Sequence, residues 1–334
     1  MPRPAQLVPA RHVAVGTFPA QPPQRRPAAR RFGAAVLGAG VAALAAASVF
    51  RLIEKSRQAA PQAQPEPSHI AAARRLNGAA ATLSFSVLSD SIVEHYRGAY
   101  HNPAMYLAPS VAAATLANSL HMTATPAHFG VGRTMLAGIA LATGLGGFGF
   151  HSYNLAKREG GFSLSNLFYG APLGAPLALT LSGLAGLAAS RLVREGEQRQ
   201  PGSLLGLPAG PFLAWGTAGG LVGTAAEAAL LHFRGAFHDP FMFVPVTVAP
   251  LTAAAMALAA IKPELSRIAR PLLQATAAIG AAGSGFHVYG VQRNMGGFRN
   301  WKQNLLNGPP LPAPPSFTGV ALAGFGALKL MTAQ

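Results

Sequence analysis

The sequence predicts an all-α fold: a polytopic membrane helical bundle of two parallel four-helix repeats, with one further helix at the amino terminus. Three observations carry that expectation. Half of the chain is hydrophobic and only 11% is charged. The runs 160–190, 200–226, 240–261, 271–292 and 303–328 contain no Asp, Glu, Lys or Arg, and each reaches or exceeds the ~20 residues that cross a bilayer as a helix. An eleven-residue stretch, His95-Tyr-Arg-Gly-Ala-Tyr-His-Asn-Pro-Ala-Met105, returns as His232-Phe-Arg-Gly-Ala-Phe-His-Asp-Pro-Phe-Met242, with seven of eleven positions identical.

In chain order, residues 1–31 are rich in Pro, Ala and Arg without apolar periodicity and read as a disordered basic arm. The apolar segment 32–50 after Arg30-Arg31 reads as a first membrane helix in preference to a cleaved twin-arginine signal, because the segment ends on only a weak small-residue cleavage site. Residues 51–77, with Gln, Pro, Glu and basic groups, read as a linker.

The first repeat, 78–193, is expected as helices over 78–97, 103–120, 133–157 and 173–192. The second, 209–331, is expected over 209–234, 240–261, 267–293 and 313–330. The spacing supports this alignment. His95/His232 are offset by 137, Phe150-His151-Ser-Tyr153 and Phe286-His287-Val-Tyr289 by 136, and Asn166/Asn304 and Pro172/Pro310 by 138. An even number of helices per copy makes both copies enter the membrane in the same direction, related by an axis along its normal. Pro103 and Pro240 suit a first helical turn, where the missing N–H has no intrahelical partner. Closely spaced glycines such as Gly144, Gly146, Gly147 and Gly149 let helices approach.

The net charge of +16 is spread over termini and loops without a long basic block. That distribution fits anionic lipid headgroups, and no nucleic-acid partner is expected. The chain has no cysteine, which excludes disulfides, iron–sulfur clusters, thiolate sites and covalently attached haem. It also lacks a phosphate-cradling Gly-Lys-Ser/Thr loop and a Gly-x-Ser-x-Gly nucleophile elbow. The expected location is a bilayer, the bacterial inner membrane.

The histidines carry the candidate chemistry. Topology puts His95, His101 and His151 at one membrane face, and His232, His238 and His287 join them from the second copy. His12, His69, His121 and His128 have no counterpart histidine and read as solvated or interfacial. Imidazole is the commonest protein metal ligand and a frequent axial ligand of haem. With Asp90 and Glu227, which align with each other inside the bilayer, each copy offers three nitrogens and one oxygen, a set suited to Fe, Cu, Zn or Mn. A b-type haem would instead use His95 with His151, and His232 with His287.

Tyr153 and Tyr289 are candidates to bind a ligand or quinone. Arg97 and Arg234 are candidate cofactor-binding residues too; seven residues beyond the acids, they share the acids' helical face and can also balance their charge. Gly160-Gly161-Phe162 and Gly296-Gly297-Phe298, each followed by an asparagine, suggest a folded loop over the histidines. The leading functional expectation is a redox subunit that passes electrons between a membrane or peripheral partner and quinone. The competing expectations are a proton-coupled transporter around Asp90 and Glu227, a membrane scaffold without cofactor, and simple interfacial anchoring by His, Tyr and Arg.

Overall fold

The structure, a computed structural model, describes residues 66–128, 130–170, 172–198 and 202–332. The expected arm, amino-terminal helix and linker up to residue 65 lie outside the described residues. The described chain is all-α apart from one two-stranded hairpin.

Helix α1 (Ser68–Arg97) starts ten residues earlier than the sequence suggests. The reason is that its first turns are amphipathic rather than linker-like. Ala71, Ala72 and Ala73 are buried, while Arg74 donates to the Thr123 carbonyl at 2.7 Å and pairs with Glu66 at 2.8 Å. Arg75 donates to the Phe325 carbonyl at 3.0 Å. Basic groups read as linker charge therefore fasten this helix to its neighbours.

A short turn with Pro103 at its first position leads into α2 (Leu107–Ala124), and α3 (Val131–Ala156) follows. Short α4 (Leu164–Tyr169) precedes α5 (Gly174–Glu197). Strands β1 (Ser203–Leu204) and β2 (Leu207–Pro208) pair antiparallel through a turn in which Leu205 and Gly206 have φ of 53° and 78°. Helix α6 (Ala209–Arg234), α7 (Phe243–Ile261), α8 (Ser266–Gln292), short α9 (Trp301–Asn307) and α10 (Pro315–Met331) complete the described chain. The expected helices thus appear with shifted ends, and two short helices stand where loops were expected.

Helices α1, α2, α3 and α5 pack in a closed ring, each against the next, and α6, α7, α8 and α10 pack in the same cyclic order. Helix α10 also runs along α1 and joins the two rings, whereas α5 and α6 touch only slightly. Glycine sets the close crossings. A Cβ on Gly144 would lie 2.7 Å from the Pro176 carbonyl oxygen, and one on Gly280 would lie 2.9 Å from the Pro314 carbonyl oxygen. Helices crossing this closely gain their contact from backbone approach rather than large side chains. Hydroxyl pairs bridge the interior, Ser84 with Ser182 and Thr252 with Thr276, both at 2.8 Å.

Among the described residues, three helices are long and apolar enough to cross a membrane: Val131–Ala156, Gly174–Gly196 and Pro240–Ile261. The sequence reading expects more. The others dilute their apolar content: α1 carries Arg74, Arg75, Asp90, Glu94 and Arg97, and α10 is only 17 residues long. Large apolar side chains remain on the outside, among them Met135, Ile139 and Phe150 on α3 and Leu251 and Leu258 on α7.

Candidate functional site

The repeated motif builds a helix end with an unusual turn. After Arg97, Gly98 donates to the Glu94 carbonyl and Tyr100 to the His95 carbonyl, at 3.1 and 3.0 Å. Ala99 and Tyr100 both take positive φ, 54° and 47°. Ala236 and Phe237 repeat this at 56° and 44°. Left-handed backbone at non-glycine residues costs roughly 1–3 kcal/mol each, so the surrounding contacts must hold it. Those contacts are visible. Tyr100 stacks on Tyr106 at 4.4 Å and meets the His95 ring edge-on at 5.9 Å. Phe237 stacks on Phe243 at 4.5 Å and meets His232 at 6.0 Å. The turn thus trades backbone strain for an aromatic wall against the histidine. Asn102 and Asp239 then cap the next turn, accepting from Ala104 N–H and Phe241 N–H.

Four histidines are oriented in one way. His95 donates from Nδ1 to the Met105 carbonyl at 2.5 Å, and His232 donates to the Met242 carbonyl at 2.7 Å. His151 donates to the Pro172 carbonyl at 2.5 Å, and His287 to the Pro310 carbonyl at 2.6 Å. A carbonyl can only accept, so Nδ1 carries a proton, and in the neutral ring Nε2 keeps its lone pair. His95 lies within electrostatic range of His151, and His232 within range of His287. The predicted pairs are therefore brought together.

The predicted sets of three nitrogens and a carboxylate are not. Among the described residues no three His, Asp or Glu side chains are grouped so as to hold a metal ion. His101 and His238 are exposed and turn back onto their own loops, bonding the Gly98 and Gly235 carbonyls at 2.9 and 3.0 Å. The Nε2 of His238 receives Arg293 at 3.3 Å. A histidine six residues past the helical one sits beyond the left-handed turn, which points it away from the bundle.

Asp90 on α1 lies within electrostatic range of Glu227 on α6. The Glu227 carboxylate accepts the Gly174 N–H at the start of α5, where helix N-termini favour negative charge. A Cβ on Gly174 would overlap that carboxylate, so a larger residue there would push the Glu227 side chain aside. The position matching Gly174 is Pro312, which has no N–H to offer, and its carbonyl instead accepts Ser86 Oγ.

Arg97 bonds Glu94 at 2.6 Å, because three residues along a helix also share a face, and it stays within electrostatic range of Asp90. Arg234 donates to the Phe168 carbonyl at 2.9 Å and lies 5.9 Å above the Tyr169 ring. Tyr153 and Tyr289 are exposed, with the Lys157 ammonium 5.3 Å over the Tyr153 ring. Two residues past a helical histidine is the far side of the helix, so these tyrosines do not face the histidine pairs.

The Gly-Gly turns are folded as expected: Gly160, Gly161, Gly296 and Gly297 all have positive φ. The Asn166 amide donates to the Glu159 and Gly161 carbonyls at 2.9 and 2.7 Å, and Asn304 donates to Met295 and Gly297 at 3.2 and 2.8 Å. Sequence reasoning missed the partners of the histidines, the carbonyls of Met105, Met242, Pro172 and Pro310. The recurrence of Pro172/Pro310 was the available signal, but a carbonyl's role leaves no trace in residue identity. No family model, curated protein or solved structure matches the chain.

Proposed function

We propose that the chain is a multipass protein of the bacterial inner membrane, built of two parallel four-helix halves. Each half holds one b-type haem, and the pair passes electrons between a redox partner and quinone. The carrying observation is the shared state of His95, His151, His232 and His287: Nδ1 anchored on a carbonyl, Nε2 left with its lone pair, one pair in each ring. Haem- and metal-ligating histidines are held in this way, with the second ring nitrogen bonded to a backbone carbonyl or carboxylate that fixes tautomer and orientation. His95 with His151 would hold one haem iron and His232 with His287 the other, and the haem would supply one-electron chemistry. Lys157, Arg158, Arg293 and Arg299 lie in the loops after α3 and α8, and Lys302 on short α9, on the side of the histidine pairs where haem propionates would need cations. Exposed apolar side chains on α3 and α7 support a lipid environment. A single transition metal (Fe, Cu, Zn or Mn) on one pair is the variant of this reading with fewer protein ligands.

The test is an absorption spectrum of detergent-purified protein from haem-sufficient cells, with pyridine haemochrome quantitation and elemental analysis. A Soret band with two haems per chain is expected. Folded, colourless and metal-free protein removes the proposal.

A second reading rests on a different observation, the approach of Asp90 to Glu227 between the rings. Carboxyls placed inside a membrane bundle mark proton or ion pathways by default, and the halves would then rock around them. Proton uptake in vesicles that is lost in Asp90→Asn, in protein free of haem, would establish it.

A further inference from the structure

One side of α6 stands open where the same side of α1 is covered. On α1, α10 lies so close that a Cβ on Gly319 would sit 3.4 Å from the Ala79 carbonyl oxygen and one on Gly326 would sit 3.4 Å from that of Ala72. Ala79 is fully buried, and the Ser86 hydroxyl bonds the carbonyl of Pro312 just before α10. The residues of α6 that match Ala79, Thr82 and Ser86 are Gly216, Gly219 and Gly223, and all three are exposed, with open space where a Cβ would stand. The helix that should cover them by analogy is α5. It carries Leu181 where α10 carries Gly319, and it touches α6 only slightly. Trp215, 52% exposed, and Val222, 57% exposed, rim the open strip. Its outer end continues into an apolar groove lined by Pro208, Pro211 and Phe212.

We propose that the apolar segment 32–50 of this same chain packs along this strip of α6. Three facts choose that occupant. First, the described chain begins on the correct side: a Cβ on Gly196, at the end of α5, would strike the His69 ring, so the start of α1 neighbours the hairpin that leads into the groove. Second, the 17 residues from 51 to 67 can span up to roughly 55–60 Å, ample to bring Phe50 to the groove. Third, Ala34, Gly38, Ala42 and Ala46 recur every fourth residue, a small-residue edge matched to Gly219 and Gly223. Two such edges allow helices to pack closely in lipid, where no hydrophobic gain drives association. The segment runs antiparallel to α6, because its end and the start of α6 share a face.

Because the chain has no cysteine, full-length protein can be tested directly by oxidation in membranes. Gly219→Cys is combined in turn with Ala34→Cys, Gly38→Cys, Ala42→Cys and Ala46→Cys. The Ser84→Cys/Ser182→Cys pair, whose hydroxyls lie 2.8 Å apart, reports that the fold and the oxidation are intact. At least one of the four pairs is expected to close within a single chain, read as a linked peptide by mass spectrometry. Failure of all four while the control pair closes overturns the proposal. So does a disulfide-linked dimer from Gly219→Cys alone, which would place a second copy on the strip.

Discussion

Arg234 donates to the carbonyl oxygen of Phe168 at 2.9 Å, with its guanidinium 5.9 Å above the Tyr169 ring and Phe233 stacked on Phe168 at 5.6 Å. One contact thus ties the loop after His151 to the helix that carries His232. The reciprocal contact is weaker: Lys302, on the short helix after His287, lies 5.7 Å over the Tyr96 ring. Each loop reaches across to the other ring, so the two histidine pairs share a mechanical connection.

Arg234→Ala should loosen that connection. The bond is charge-assisted but exposed, so the loss is about 1 kcal/mol or less in stability. Its local effect is larger. Trypsin cleavage at Arg158 in the released loop should speed up several-fold, while Arg97→Ala, which removes only the Glu94 pair within one helix, should leave it unchanged. Equal cleavage in both variants would show that Phe168 and Tyr169 hold the loop without the arginine.

The histidine pairs predict a quantised result. If each pair holds one haem, His151→Ala and His287→Ala should each lower the haem content from two to one per chain, and the double variant should be colourless with helical content kept. His101→Ala and His238→Ala should change neither number, because those rings turn outward onto the Gly98 and Gly235 carbonyls. Loss of colour on replacing His101 would make the outward loop a ligand and undo the assignment.

Much of this was legible in sequence, and the boundary of legibility is physical. Duplicated spacing locates the helices, because periodicity and offset survive folding unchanged. The start of α1 is hidden in the sequence because Arg74 and Arg75 look like linker charge until the Thr123 and Phe325 carbonyls that receive them come into place. Topology gives His101 and His95 a common depth and nothing more. The left-handed turn at Ala99 and Tyr100 that separates them follows from packing on Tyr106, not from residues that favour positive φ. The link between Glu227 and Gly174 joins segments more than fifty residues apart, and no local pattern announces it.

Close crossings give a stability prediction. Gly144→Ala should destabilise by about 1–3 kcal/mol, the usual cost of overpacking, because the new methyl meets the Thr180 amide and the Pro176 carbonyl. Gly280→Ala should behave alike against Thr318 and Pro314. Gly146→Ala, with open space around it, should be neutral or slightly stabilising through helix propensity. Thermal unfolding in detergent ranks the three, and a neutral Gly144→Ala would mean that α3 and α5 can slide apart freely.

The two carboxyls should respond differently although their positions correspond. Glu227→Gln keeps an oxygen to accept the Gly174 N–H, so its stability should change little. Glu227→Leu leaves that N–H unpaired, which costs about 1–3 kcal/mol and should lower the midpoint of thermal unfolding. Asp90 has no such duty, since Pro312 stands where Gly174 stands in the other ring and has no N–H, so Asp90→Asn and Asp90→Leu should differ less from each other. Proton uptake into vesicles separates structure from transport. If the acids form a pathway, Asp90→Asn and Glu227→Gln both abolish uptake at unchanged stability. If Glu227 serves only as a cap, Glu227→Leu alone shows a defect, and that defect is in folding.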